Sequence, residues 1–322
     1  MNRKAWIAFW ILGLIWGSSF LLIRVGVEDI PATELVLIRI FIAAVGLNIA
    51  RMLRGIPLPR DWPTIRAFSL IGLGNAAIPY TLISLGEQTI TSGMAAVLQS
   101  TVSLFTLVIA HFAFADEHMT TQRVVGLTIG FIGIVVLYSN SIVDGKIDMP
   151  VFMGQMAMIL ASLFYATFIV YSRMVIRRNI QPIVIAAGTF LPALFWAALF
   201  VLLEPVLGGR AFIPPSDLPR ESLWAAIGLG FFNTFIAYIF FYYIIRELGS
   251  FRASMVTYVV PVVGLMLGVL VLDERVTITM IIGAVMIFIG IGIVNVNLVR
   301  MLRPHLQKAR YVVANAINLT KT

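Results

Sequence analysis

The chain has 322 residues, of which 60% are hydrophobic and only 12% charged. A soluble domain typically has about 45–50% apolar and about 25% charged residues, so this composition excludes an ordinary soluble enzyme or binding module. There is no cysteine, which excludes disulfides, thiol catalysis and Cys-ligated metals.

Apolar runs of roughly 20 residues, the length that crosses a ~30 Å hydrocarbon core, recur ten times. In chain order they are Ala5–Val25, Thr33–Met52, Ile65–Gln88, Ser92–Ala115, Gln122–Ser139, Val151–Val175, Pro182–Leu203, Ser222–Ile245, Ser250–Leu272 and Thr277–Asn297. Short polar or Pro/Gly-containing joints separate them. Each is predicted to be a helix, because an open strand leaves backbone groups unsatisfied in lipid. A lipid-facing barrel is excluded, since its strands are shorter and alternate. The first run follows "MNRK"; its length and the lack of a small-residue cleavage site predict an uncleaved first span.

The net charge of +8 is explained by topology. With the N-terminus inside and sides alternating, the inside segments hold 17 Lys and Arg and the outside segments 5, with Arg39 left within a span; together these account for all 23. That bias predicts cytoplasmic termini and leaves no need for a nucleic-acid partner. The tail at 298–322 mixes basic and apolar residues and is expected on the cytoplasmic leaflet.

The chain repeats itself. Residues 111–137 and 268–294 align without gaps with eight identities in 27, including Asp116/Asp273, Glu117/Glu274, Thr120/Thr277 and Gly126/Gly283. "IGLG" at Ile71 returns at Ile227, and "WGSSFLLIR" from Trp16 aligns with "YATFIVYSR" from Tyr165. Spans 1–5 therefore correspond to spans 6–10, joined near Asn140–Pro150. A five-span unit ends on the side opposite its start, so the second copy is inverted in the membrane. Inverted repeats suit alternating access, because two related, oppositely directed halves can exchange conformations about a central site.

The ten spans, the 5+5 repeat, "WGSSFLLIR" in span 1, Arg39 in span 2 and a "DE" ahead of a Gly-rich span in both halves resemble the drug/metabolite transporter superfamily, EamA-type branch. The resemblance covers residues 5–297 and implies two EamA-type repeats, 1–140 and 150–297. It further implies a central cavity lined by spans 1, 3, 4, 6, 8 and 9, with spans 5 and 10 peripheral, and export of amino acids or other metabolites from a plasma (inner) membrane. The family often carries Pro in both span 4 and span 9. Here span 9 has Pro261, but span 4 reads "QSTVSLFT", so a straighter span 4 is expected.

Substrate-pathway candidates are the mid-span polar and aromatic residues Trp16, Ser18, Asn75, Tyr80, Gln99, Thr101, Tyr165, Thr167, Asn233, Tyr238 and Tyr258. These neutral groups suit a small zwitterion or neutral metabolite with an apolar part. Against that stands the common structural use of Ser and Thr in bonding their own helix, and of Tyr and Trp as interfacial anchors. Trp16 and Tyr165 stand out as repeat mates. Arg39 needs a partner within the membrane, and Glu87 is the expected one. Arg24 and Arg173 end their spans as snorkelling or mouth residues. Asp116/Glu117 and Asp273/Glu274 are read as caps of spans 5 and 10, where Thr120 and Thr277 follow. Pro79, Pro192 and Pro261 are candidate hinges. Gly126, Gly130, Gly133, Gly283, Gly290 and Gly292 are read as helix-packing positions.

No span interior is read as holding an Asp or Glu, the three His are scattered, and no phosphate-binding loop is present. A membrane enzyme is therefore disfavoured, and no cofactor or metal is expected. Proton coupling is disfavoured by the same absence. The sequence reads as a secondary transporter of amino acids, aromatic or large neutral ones favoured. Sugar-phosphate or nucleotide-sugar exchange is the alternative; such substrates call for more cavity cations than Arg39. The expected partners are a small molecule and the lipid bilayer, with monomer and homodimer both open.

Overall fold

A computed structural model describes residues 3–115, 119–139, 142–143, 146–176, 180–248 and 256–295. The tail at 298–322 and the acidic pair Asp116 and Glu117 lie outside them.

Ten apolar helical units follow one another among the described residues. Spans 1 and 2 are α1 (Arg3–Asp29) and α2 (Ala32–Leu53). Span 3 runs as α3 (Trp62–Gly72), a π-helical stretch (Leu73–Ala77) and α4 (Ile78–Gly86). Span 4 is α5 (Ser92–Gln99) and α6 (Val102–Ala113), and span 5 is α7 (Thr121–Tyr138). A two-residue hairpin, β1 (Ile142–Val143) with β2 (Lys146–Ile147), joins the halves. Spans 6 and 7 are α8 (Met149–Ile176) and α9 (Pro182–Leu203). Span 8 is α10 (Arg220–Gly230), a second π-helical stretch (Phe231–Ile236) and α11 (Ala237–Leu248). Spans 9 and 10 are α12 (Val256–Leu272) and α13 (Ile278–Asn295). Seven of these units are long and apolar enough to cross a membrane, and the remaining three carry shorter apolar cores.

Side-chain chemistry sets the ends. Asp61 accepts the Thr64 amide at 3.0 Å, Thr91 the Met94 amide at 3.2 Å, Thr120 the Arg123 amide at 3.3 Å and Thr277 the Met280 amide at 3.2 Å. Each bond satisfies a helix N–H that has no intrahelical acceptor. The outer surface is apolar: Ile7, Trp10 and Leu14 expose one stripe of α1, while Ala8, Phe9 and Leu12 are buried on the other side. A helix apolar all round belongs in lipid.

The packing carries the repeat. Span 1 packs on spans 8 and 9, and span 6 packs on spans 3 and 4, the positions that the duplication predicts. Span 2 packs on spans 7 and 8, and span 7 on spans 2 and 3. The self-matched pair, spans 5 and 10, is also in contact. A Cβ on Gly133 would meet the Gly283 carbonyl at 2.8 Å, and one on Gly290 the Gly126 carbonyl at 2.5 Å. The residue numbers run in opposite senses across that contact, so α7 and α13 are antiparallel and the second half is inverted relative to the first. Glycine here permits backbone-to-backbone approach in lipid. Gly292 is a correction: a Cβ there meets nothing within 4 Å.

Span 4 is a second correction. Despite having no proline, it breaks at Ser100–Thr101. The Ser100 and Thr101 amides bond three residues back, to Val97 and Leu98, at 3.1 Å each. Their hydroxyls take the same carbonyls, at 2.6 and 2.7 Å, and the Ser103 hydroxyl takes the Ser100 carbonyl at 3.0 Å. Hydroxyls that compete for main-chain carbonyls tighten a helix locally, and here they interrupt the regular α ladder with one tightened turn.

Candidate functional site

One π-helical stretch overlaps the first "IGLG" sequence and the other directly follows the second. In span 3 the stretch ends two residues before Pro79, which has no N–H to continue the α ladder. In span 8 the Thr234 hydroxyl donates to the Leu229 carbonyl, five residues back, at 2.9 Å, which fits the wider turn.

Arg39 packs on the second π-helical stretch and on α4. It is buried in α2, its Nε donates to Thr234 Oγ1 at 2.9 Å, and its guanidinium carbon lies 3.9 Å from the Tyr80 ring centroid. Tyr80 in turn faces Tyr165 of α8, ring centroids 6.3 Å apart. Spans 2, 3, 6 and 8 thus meet at one cation and two phenols. Tyr238 packs edge-on against Phe190 at 5.4 Å in the same apolar cluster. The expected Arg39–Glu87 pair does not form, because Thr234 and Tyr80 engage the guanidinium and both Glu87 oxygens lack a hydrogen-bond partner.

Two amide carbonyls are left open in spans 3 and 4. Asn75 Oδ1, within the span 3 π stretch, and Gln99 Oε1, at the span 4 break, are buried without a hydrogen-bond partner. A buried acceptor left unmatched is costly, which makes these atoms natural points for a donor from a solute or water. Thr101, fully buried beside Gln99, is committed to its own helix through Leu98.

The remaining candidates separate. The Asn233 amide nitrogen shares its two N–H groups among Ser18 Oγ at 3.0 Å, Ser19 Oγ at 3.1 Å and the Ile15 carbonyl, tying α1 to the span 8 π stretch. This network is internally satisfied. Trp16 packs on Phe241, 5.3 Å between centroids, in a different cluster from Tyr165. The repeat relation survives as span 1 on span 8 and span 6 on span 3, but the two aromatic mates do not converge. Thr167 is exposed on the stripe that also exposes Leu160 and Leu163, and it bonds the Leu163 carbonyl at 2.9 Å. It therefore faces outward, away from any central path. The Tyr258 side chain lies outside the described residues. Pro192 and Pro261 fall inside continuous helices.

The charged ends have specific partners. Arg24 Nη1 donates to the Glu87 main-chain carbonyl at 2.5 Å, a cation on a helix C-terminus. Its repeat mate Arg173 lies over the Phe114 ring at 4.3 Å. Glu274 corrects the expected cap. Its oxygens accept the Ser92 and Gly93 amides at 2.7 and 3.0 Å, so it caps span 4 of the other half and not span 10. Asp273, at a left-handed φ of 51°, turns the chain so that Glu274 points back.

Two acidic residues at span ends are buried, Glu34, which is not among the candidates drawn from the sequence, and Glu87, which is. Glu34 is buried in the first turn of α2, where it accepts the Ile213 amide at 3.0 Å. Glu87, one residue beyond α4, is completely buried.

Known proteins agree with this architecture. The EamA-like transporter family matches residues 3–139 and 152–296, one copy in each half. The chain is 31% identical over 263 residues to the uncharacterized inner membrane transporter YedA of Escherichia coli (strain K12), covering 81% of this chain and 80% of that one. It is 26% identical over 282 residues to the uncharacterized transporter YoaV of Bacillus subtilis (strain 168), covering 86% and 92%. It is 23% identical over 301 residues to an Escherichia coli (strain K12) protein named a probable amino-acid metabolite efflux pump, covering 91% and 95%. A solved crystal structure with 18% identity superposes with a TM-score of 0.61 over 91% of this chain and 96% of its own, and shares the fold. The chain is a multi-pass membrane transporter and not an enzyme, and it belongs to the EamA-like transporter family.

Proposed function

We propose that the protein is a secondary exporter of small metabolites, amino acids above all, working by alternating access about the Arg39–Tyr80–Tyr165 cluster. The observation that carries this reading is a buried guanidinium engaged by a phenol ring and a hydroxyl, in a bundle that also holds two buried amide carbonyls without a hydrogen-bond partner, Asn75 Oδ1 and Gln99 Oε1. A zwitterion offers a carboxylate to the first and an ammonium to the others. Aromatic walls at Tyr80, Tyr165 and Tyr238 favour large neutral or aromatic side chains. A relative named a probable amino-acid metabolite efflux pump supports the same substrate class. Phosphorylated sugars are the weaker reading, since Arg39 is the one cation at mid-span in the sequence.

The inverted halves support rocking of one against the other, with Pro79, Pro192 and Pro261 as hinges. The 17:5 distribution of Lys and Arg supports cytoplasmic termini in a plasma membrane. The test is flux of labelled tryptophan and labelled alanine in proteoliposomes containing the full chain. Saturable tryptophan flux above that of alanine is expected. Equal flux of both, or of neither, rejects the aromatic preference.

A further inference from the structure

Glu87 is the buried group that the transport reading leaves unused. It closes span 3 at the end of the bundle where α1 finishes. Its side chain is 0% exposed and neither carboxyl oxygen has a hydrogen-bond partner. A carboxylate is not stable in such surroundings unpaired, so in this arrangement the group is a neutral acid.

The charged groups around it are otherwise engaged. From α1, Arg24 donates to the Glu87 main-chain carbonyl and not to its carboxyl, and Glu28 lies one turn further on. From α2, Arg39 is held by Thr234 and Tyr80. From the segment between α12 and α13, Glu274 is held by the Ser92 and Gly93 amides. Helix α5 has no ionisable residue, and α8 has none between Asp148 and Tyr165. The acid is nevertheless one residue from a cleft. Its chain neighbours Gln88, Thr89 and Thr91, with Arg24, Glu28 and Glu274, line a cleft of about 260 Å³ at this end.

Resting on the transport reading, we propose that Glu87 is the proton-binding residue of this carrier, protonated while α1 is latched to the end of span 3 and ionised when that end opens. On opening, the carboxyl O–H bond breaks and its proton passes to a cleft water. The electron pair stays on the carboxylate, which Arg24 then pairs after leaving the main-chain carbonyl. Reprotonation from the cleft reverses both steps and restores the latch. Metabolite flux is thereby linked to a proton, although the sequence alone argues against such coupling.

The test needs no substrate. The chain has no cysteine, so spin labels at Glu28→Cys and Thr89→Cys report only the α1–span 3 separation. Full-length protein in lipid nanodiscs is measured by electron–electron double resonance from about pH 5 to about pH 9. The expected result is a shift to longer distances with rising pH, absent in the added Glu87→Gln variant, which stays short. No shift in the parent pair, or the same shift with Glu87→Gln, overturns the proposal. Infrared pH-difference spectra of the unlabelled protein give a second readout. A protonated carboxyl band at neutral pH that Glu87→Gln removes is expected, and a band that survives the change overturns the assignment. If Glu87→Gln does not fold, Glu87→Asp replaces it and should move the transition without abolishing it; an unmoved transition overturns the proposal. Silent tryptophan flux beside a titrating distance removes the amino-acid reading alone, whereas flux without titration removes only the proton.

Discussion

Glu274 and Ser92 are 182 positions apart in the chain, yet the Glu274 carboxylate accepts the Ser92 amide hydrogen at 2.7 Å and the adjacent Gly93 amide at 3.0 Å. The second half of the chain thereby caps a helix of the first. A carboxylate at a helix N-terminus meets both the unpaired amides and the positive end of the helix dipole.

Glu274→Ala should lower stability by about 0.5–2 kcal/mol, the range for loss of a helix cap. Gly268→Ala should act on the same contact, since its Cβ would stand 2.4 Å from Glu274 Oε2 and 2.8 Å from Ser92 Oγ. Because both changes disturb one contact, the double variant should lose less than the sum of the two. Chemical denaturation in micelles, followed by circular dichroism, measures all three. Full additivity would mean that the cap and the glycine act independently.

The contact between spans 5 and 10 makes a sharper contrast. Gly290→Ala drives a methyl into the Gly126 carbonyl at 2.5 Å and the Gly130 nitrogen at 2.7 Å, both backbone atoms that cannot rotate away. Overpacking of this kind costs about 1–3 kcal/mol. Gly292→Ala, two residues along the same helix, enters open space and should leave the melting temperature unchanged. Equal effects at the two positions would contradict the observed crossing.

Apolar run lengths fixed the count of ten helical units, and the duplicated "DE" and "IGLG" segments revealed the inverted halves, because both signals are periodic in one dimension. What escaped the sequence depends on direction and contact. Trp16 and Tyr165 align in the repeat, but alignment does not set which way a ring leans, and the two rings settle on Phe241 and Tyr80. Thr167 looks polar in the sequence, yet it turns outward and satisfies itself on Leu163. The break in span 4 comes from consecutive hydroxyls at Ser100 and Thr101, a signal that attention to proline overlooks. Glu87 sits at a span end, where a carboxylate ordinarily meets water, and only packing shows that it does not.

Arg39 should be the most sensitive position for transport. Arg39→Lys keeps the charge but loses the planar group that bonds Thr234 and stacks on Tyr80 together. A buried cation–π contact contributes about 2 kcal/mol, so tryptophan flux should fall at least about tenfold. Tyr165→Ala should weaken apparent affinity, while Thr167→Ala, two residues on and facing outward, should change nothing. Initial rates in proteoliposomes across a range of tryptophan concentrations separate these cases. A Thr167 effect as large as that of Tyr165 would place the path on the wrong face of α8.

The Ser100–Thr101 break should set turnover more than affinity. Its hydroxyls hold the Val97 and Leu98 carbonyls at 2.6 and 2.7 Å, and so keep α5 and α6 as separate segments beside the unpartnered Gln99 carbonyl. Ser100→Ala with Thr101→Val removes both hydroxyls at nearly unchanged volume, and lets the amides return to regular i−4 partners. A continuous span 4 is stiffer, so the two half-helices lose the freedom to tilt independently when the halves exchange. Maximal tryptophan flux should drop severalfold while the half-saturating concentration stays within about twofold, the pattern expected when a conformational step and not binding is slowed. Ser103→Ala, whose hydroxyl bonds the Ser100 carbonyl at 3.0 Å, should produce a smaller drop of the same kind. A change confined to half-saturation would instead make Ser100 and Thr101 solute contacts, and would move the substrate site from the Tyr80–Tyr165 pair towards the span 4 break.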